Sequence, residues 1–413
     1  MNETSKKLKI AFLVERFPKL SETFILNQIS YLIEAGHKVD IFPAGKSEET
    51  KVHDEIHRLG LLQHTFYPPK VPQNKIWAWL KFFVLVNIKQ AVRKLVKLLD
   101  SQDFYRNQDM IRRLYLISLF YPFISKNKYD IIHCHFGPTG LRAVFVRSLG
   151  LLDGKMLTTF YGYDITHRAM GENYYQNLFS NSDIFIVISN FIRENAISAG
   201  FDKNKIVVLP IGVNPREFIP HKQKTDKNCI RLLSVARLVE KKGLYYSISA
   251  FHQLVELHPN TFYEIVGDGE LMKPLMELVT FLGLEEKVFF HGEKKKVDII
   301  NFYRNSDIFV LPSITASDGN SEGQGLVLQE AQAMQLPVIA TLHNGIPEGV
   351  MDGITGYLVP EKDINALQIK MKYLIEHPRV RKDMGNSGRK FIEHKFDNFH
   401  LGKKLEKIYT DLL

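Results

Sequence analysis

A chain of 413 residues is too long for one hydrophobic core and is expected to form two domains of roughly 200 residues each. Hydrophobic residues at 45% and charged residues at 24% are the balance of a soluble globular protein, not of a disordered or fibrous one. Two cysteines exclude a disulfide framework and point to a reducing compartment, and a net charge of +9 is concentrated in one segment.

Met1 to Lys9 is polar and the apolar run Ile10 to Val14 is only strand-length, so no signal peptide is expected. The run Lys9 to Glu15 reads as a buried strand, and Ser21 to Gly36 as a helix with Ser21 as N-cap and Thr23 in its first turn. KVDIFPA continues as a strand. From Lys70 to Lys128 twelve bases face only three acids, with Trp77, Trp79, Phe82, Phe83, Tyr105 and Tyr115 among the interleaved aromatics. Such a segment suits an anionic membrane surface, and equally a buried helix pair with a solvated basic face. No run reaches the ~18 to 20 apolar residues of a spanning helix. Ile76 to Ile88 comes nearest, and Lys81 interrupts it. YDIIHCHF, KMLTTFYG, DIFIVIS and KIVVLP then alternate as strands with helical segments, giving a parallel sheet with crossover helices.

Pro210 to Asn228 carries prolines, glycine and charge without apolar periodicity, and reads as an interdomain linker. The alternation then restarts with IRLLSVAR, FYEIVG, VFFHG, DIFVLPS, PVIAT and GYLVP, followed by a helical tail that is expected to cross back to the first half. The fold class is therefore α/β, with two Rossmann-like halves.

Chemistry concentrates in the loops after the strands of the second half. Arg237 and Lys242 follow IRLLSVAR, and two cations there could neutralise a diphosphate. Gly267 opens the turn GDGE, where backbone could approach a ligand. The backbone around His291 could hold a base edge. After DIFVLPS, Glu322 lies between glycines, and Glu330 follows eight positions later on the helix that Gly325 opens. A helix N-terminus at a strand end is where an α/β sheet binds phosphate, and an acid on each side of it suits a sugar joined to a ribose through a diphosphate. His133 and His135 share one strand face, but no third ligand with suitable spacing follows, so no metal site is expected.

The series SVARLVEKKG, VGDGE, FFHG, SDIFVLPS, SEGQGLVLQEAQAMQLPVIAT and NGIPEGVMDGITGYLV closely resembles the retaining nucleotide-sugar glycosyltransferases of family 4, which have the GT-B fold of two Rossmann-like domains facing across a cleft. RFPKLSETFILNQIS resembles the branch that builds bacterial exopolysaccharides of the colanic-acid type. The resemblance implies an acceptor domain at 1–212, a donor domain at 213–390 and a crossing tail at 391–413. It implies that Glu322 contacts donor sugar hydroxyls, that Glu330 holds the ribose, and that Arg237 and Lys242 bind the diphosphate and the departing nucleotide. Gly323, Gln324, Gly325, Leu326 and Val327 match the loop whose N–H groups hold sugar and phosphate oxygens, although Gln324 stands where relatives often carry an aromatic residue.

The first half departs from the family pattern. RFPKLSET, with Ser21 and Thr23, replaces a two-glycine loop, and Tyr161 replaces a histidine in the sequence Tyr161-Gly162-Tyr163-Asp164, where Asp164 is expected to act on the acceptor. No Asp-x-Asp occurs, so metal-independent transfer from a nucleoside-diphosphate sugar, a UDP-sugar by preference, is expected without a cofactor. The expected acceptor is a glycan or lipid-linked glycan. The expected location is cytoplasmic, at the inner face of the membrane, and no nucleic-acid partner is expected. A sugar-nucleotide epimerase, a phosphorylase and a non-catalytic glycan- or membrane-binding protein of the same fold are the alternatives.

Overall fold

The computed structural model describes residues 6–19, 22–49, 52–70, 77, 119, 121–124, 128–148, 150–166, 174–220 and 229–413. Each short run rich in β-branched and aromatic residues forms a strand where the sequence pattern predicts one. The first six are β1 (Lys9–Phe17), β2 (Lys38–Lys46), β3 (Lys128–His135), β4 (Asp153–Phe160), β5 (Ile184–Val187) and β6 (Ile206–Val208). They form a parallel sheet in the order β2-β1-β3-β4-β5-β6. The second six are β7 (Ile230–Val235), β8 (Thr261–Val266), β9 (Val288–Phe290), β10 (Ile308–Leu311), β11 (Val338–Thr341) and β12 (Gly356–Val359). Their order is β12-β11-β10-β7-β8-β9, again parallel.

Each order reverses once, between β1 and β3 in the first sheet and between β7 and β10 in the second. At such a point the loops leave in opposite directions and open a crevice beyond the strand ends. The two crevices are where the candidate residues gather.

Helices of two turns or more cover the sheets: α1 (Thr23–Glu34), α2 (Gly137–Ser148), α3 (Asn190–Ser198), α4 (Leu244–Val255), α5 (Met272–Phe281), α6 (Lys296–Asn305), α7 (Leu326–Ala333), α8 (Ile364–Glu376), α9 (Pro378–Lys395) and α10 (Asn398–Leu412). Helix α1 buries Ile25, Leu26, Ile29 and Leu32, one stripe at helical spacing, against the first sheet. Its first residue is Thr23; the expected cap, Ser21, lies outside the described residues.

The chain crosses between the halves twice, and the crossings are tied together. The Val213 N–H donates to the Phe396 carbonyl at 2.9 Å, and the Asn398 N–H to the Val213 carbonyl at 2.9 Å. After the second crossing α10 lies on α1, burying Leu401, Leu405 and Tyr409 in the core of the first sheet. Among the described residues no helix is long and apolar enough to cross a membrane. Of the basic segment, residues 71–76, 78–118, 120 and 125–127 are not among those described, and the membrane contact expected of it lies outside them.

Candidate active site

The loop after β7 turns through Glu240–Lys242 before α4 starts, and brings Lys241 and Lys242 against the loop that follows β10. Lys242 Nζ pairs with Glu322 Oε2, the two side chains being 11% and 16% exposed. Lys242 is thus buried, and this carboxylate is its partner across the two loops. Neighbouring Lys241 Nζ donates to the Ser321 carbonyl at 3.1 Å and reaches Asn320 Oδ1 at 3.3 Å. Burial pushes the Glu322 carboxyl up, but Lys242, Lys241 and the hydrogen bond from Lys242 outweigh it and hold the carboxyl below its ordinary value. Arg237 is exposed at the end of the same strand.

Gly325, at φ 74°, takes the left-handed turn that starts α7 and is its N-cap. The first N–H groups of that helix belong to Leu326 and Val327 and have no intrahelical acceptor. One turn along α7, Glu330 Oε2 accepts from the fully buried Tyr303 hydroxyl at 2.9 Å. Burial pushes the Glu330 carboxyl up to about 7, against the Tyr303 hydrogen bond and the charge of Lys296.

Other predicted residues have more structural duties. A Cβ on Gly267, at φ 135°, would stand 1.8 Å from the Ala236 carbonyl oxygen, so the glycine is required where the ends of β7 and β8 converge. His291 links β8 and β9: its Nε2 lies 2.6 Å from Glu264 Oε2, whose other oxygen accepts from Arg231 at 2.7 Å, and its N–H donates to the Ile265 carbonyl at 2.9 Å. The Gln324 side chain turns to the linker, accepting from the Ile211 N–H at 2.9 Å and donating to the Ile211 carbonyl at 2.6 Å. Its amide is thus spent on the interdomain crossing, not offered to a ligand.

In the first half, Phe24, Phe136 and Tyr161 meet over the ends of β1, β3 and β4, with Tyr161 ring centroids 4.4 Å from Phe24 and 4.7 Å from Phe136. Phe136 holds φ 72°, a strained backbone for an aromatic residue. The Tyr161 hydroxyl lies 2.7 Å from His135 Nδ1. His135 does not reach the cleft itself; it is fully buried, and burial pushes its imidazole down to about 3. His133 stacks on it at 4.1 Å and is held by the Tyr409 hydroxyl at 2.6 Å and Thr159 Oγ1 at 2.7 Å. His133 is paired through both ring nitrogens as a structural group, whereas His135 Nε2 is buried without a hydrogen-bond partner; among the described residues no cluster of three or more metal-ligating side chains occurs.

Asp164 corrects a second expectation. Its carboxylate points inward, accepting from the N–H groups of Tyr161 at 3.0 Å, Gly162 at 3.0 Å and Gly137 at 3.2 Å. Burial still pushes it up to about 6 against those bonds. It anchors the loop that presents Tyr161. The more suggestive acid on this side is Glu22, buried before α1, paired with Lys19 at 2.7 Å and pushed up by burial.

The two halves touch at glycines. A Cβ on Gly323 would lie 2.7 Å from the Tyr161 carbonyl oxygen, and one on Gly345 2.9 Å from Ser189 Oγ. Glu348 crosses the cleft and accepts from the N–H groups of Asn190 at 2.9 Å and Phe191 at 3.1 Å, capping α3 from the other half. Sequence reasoning passed over Glu348, and also His343 and Glu361. His343 Nε2 accepts from the Glu322 N–H at 3.0 Å, and His343 Nδ1 lies 2.6 Å from Glu361 Oε1. The signal was available, since both residues follow strand ends, as Lys242 and Glu322 do.

The family model for glycosyltransferase family 4 matches residues 21–217, and that for glycosyl transferases group 1 matches residues 215–391. A protein of Salmonella typhimurium named for a glycosyltransferase of colanic acid biosynthesis is 34% identical over 91% of this chain and 92% of its own length. The amylovoran biosynthesis glycosyltransferase of Erwinia amylovora is 33% identical, over 87% and 89%. Among solved structures, Anabaena HepE in complex with UDP superposes with a TM-score of 0.68 at 18% identity, covering 98% of this chain and all of the other.

Proposed function

The chain belongs to glycosyltransferase family 4 and is a glycosyltransferase of GT-B fold; on that premise we propose that it moves a sugar, with retention at the anomeric carbon and without a metal ion, from a UDP-sugar to a glycan or lipid-linked acceptor in cell-surface polysaccharide synthesis. The observation that carries this reading is the junction at the reversal of the second sheet. There the cationic loop after β7 meets Glu322 and the N-terminus of α7, and Glu330 lies farther along the same helix.

Each part has a physical task. Arg237 and Lys242, with the free N–H groups of α7, carry the diphosphate and stabilise the nucleotide as it leaves, the work a divalent ion does in other transferases. Glu322 accepts hydrogen bonds from donor sugar hydroxyls beside the reacting carbon. Glu330, held by Tyr303, takes the ribose. The backbone of Gly323 and Gly325 approaches the sugar and phosphate. The departing diphosphate takes the acceptor proton, and closure of the halves excludes water. The acceptor enters over Thr23 and the aromatic group around Tyr161, so 1–212 serves the acceptor, 213–390 the donor, and 391–413 joins them. The exopolysaccharide setting is supported by the colanic acid and amylovoran relatives, and the uridine choice by the HepE complex.

A donor panel (UDP-glucose, UDP-galactose, UDP-N-acetylglucosamine, GDP-mannose) against extracted lipid-linked intermediates, read by mass spectrometry, tests this. A single hexose added with α-configuration from an α-linked donor is expected, in EDTA as in magnesium. A β-linked product would remove retention. Absence of both product and any melting shift with UDP or GDP would favour a binding protein of the same fold.

A further inference from the structure

Glu322 lies in an irregular loop between Leu311 and Leu326, so a regular element does not hold it. A charge that must meet a particular sugar hydroxyl needs placement to about half an ångström. What supplies it can be read from the proton positions. A backbone N–H can only donate, so the 3.0 Å contact between the Glu322 N–H and His343 requires Nε2 to be the acceptor. The Asn344 amide nitrogen, 3.2 Å from the same Nε2, makes the same demand. The ring proton is therefore on Nδ1, and it is donated to Glu361 Oε1 at 2.6 Å. The other Glu361 oxygen accepts from the Thr315 N–H at 2.8 Å. One carboxylate thus ties the beginning of the loop directly and Glu322 through the ring. His343 has no exposed surface, so its ring is fixed by packing, whereas the Glu361 side chain is 27% exposed.

We infer that His343 and Glu361 are positioning residues that set the backbone of Glu322, while Lys242 sets its side chain; this rests on the donor-sugar role proposed for Glu322. A buried histidine that merely filled space would show a different response to substitution. With the full chain and the donor selected by the panel above, His343→Phe should lower kcat about thirtyfold, the scale of a misplaced electrostatic contact, with donor KM changed less than about threefold. His343→Gln restores an oxygen acceptor for the Glu322 N–H and should recover most of the turnover. In a Glu322→Ala background His343→Phe should lower kcat no further. Should the phenylalanine variant not fold, Glu361→Ala against Glu361→Gln gives the same comparison at a part-exposed position.

Wild-type kcat in His343→Phe, equal loss in His343→Phe and His343→Gln, or an undiminished effect in the Glu322→Ala background would each overturn the inference. Full turnover in Glu322→Ala itself would instead remove the function proposed for Glu322, so the two failures are distinguishable.

Discussion

Replacing Lys242 by methionine removes the cation facing Glu322 and keeps the stem. Removing one partner of a buried ion pair costs about 3–5 kcal/mol. The side chains here are 11% and 16% exposed and Lys241 lies near the same carboxylate, so the expected cost falls to about 1–2 kcal/mol. That corresponds to a melting temperature lower by roughly 3–6 °C. Turnover should fall about a hundred- to a thousandfold, as for other preorganised charges at a leaving group.

The pH dependence has a definite sign. In the wild type Glu322 is held below its ordinary 4.5, so its stabilisation is complete above 4.5 and is lost as pH falls through the folded value. In the variant, burial acts without Lys242 against it, and the carboxyl rises. Its ionised form then costs stability above 4.5, and that cost disappears on acidification. The gap between variant and wild type should therefore narrow from pH 7.5 to pH 4.5 in thermal melts. Lys242→Met with Glu322→Gln, which removes both charges, should regain most of the loss at pH 7.5. Equal melting of all three proteins at both pH values would refute a buried, coupled pair; normal turnover in Lys242→Met would take the residue out of the site.

Glu330, with its carboxyl near 7, should make UDP affinity rise between pH 6 and pH 8 as the acceptor form fills, and Glu330→Gln should flatten that profile in calorimetry. Tyr303→Phe should weaken UDP binding about ten- to a hundredfold, the cost of one hydrogen bond to a charged group; unchanged affinity would discard Tyr303 as its holder. Asp164→Asn turns an amide toward a backbone donor and should cost about 1–3 kcal/mol of stability while donor KM stays near wild type, and a change confined to kcat would restore it as a catalytic group. Glu348→Ala removes the acceptor of the first two N–H groups of α3, leaving the Ser189 cap on Ile192, and should speed amide exchange at Asn190 and Phe191, with a larger radius in small-angle scattering; unchanged exchange would show the cross-cleft contact to be idle.

Much of the frame was legible because strand residues announce themselves locally: DIFVLPS and PVIAT are apolar runs bounded by proline, serine or glycine, and β10 and β11 form within them. The polar loops after those strands were legible for the same reason. Less legible was what the loops do to one another. The pair Lys242–Glu322 and the chain Glu361–His343–Glu322 exist because β7, β10, β11 and β12 are neighbours in the sheet, an order fixed by long-range pairing. Asp164 misled for the opposite reason. An acid after a strand end can serve a ligand or its own loop, and only the direction of the N–H groups of Tyr161 and Gly162 decides between them.

Helix α10 has a bearing on synthesis as well as on shape. Leu401, Leu405 and Tyr409 complete an interior whose other walls, β1 and β3, leave the ribosome first, with the entire second sheet made in between. Until then the early half carries an uncovered apolar strip and a buried His133 without the Tyr409 hydroxyl. The nascent first half is thus a sticky, waiting intermediate, and splitting the gene at the linker would yield a fragment prone to association unless the α10 segment were supplied with it.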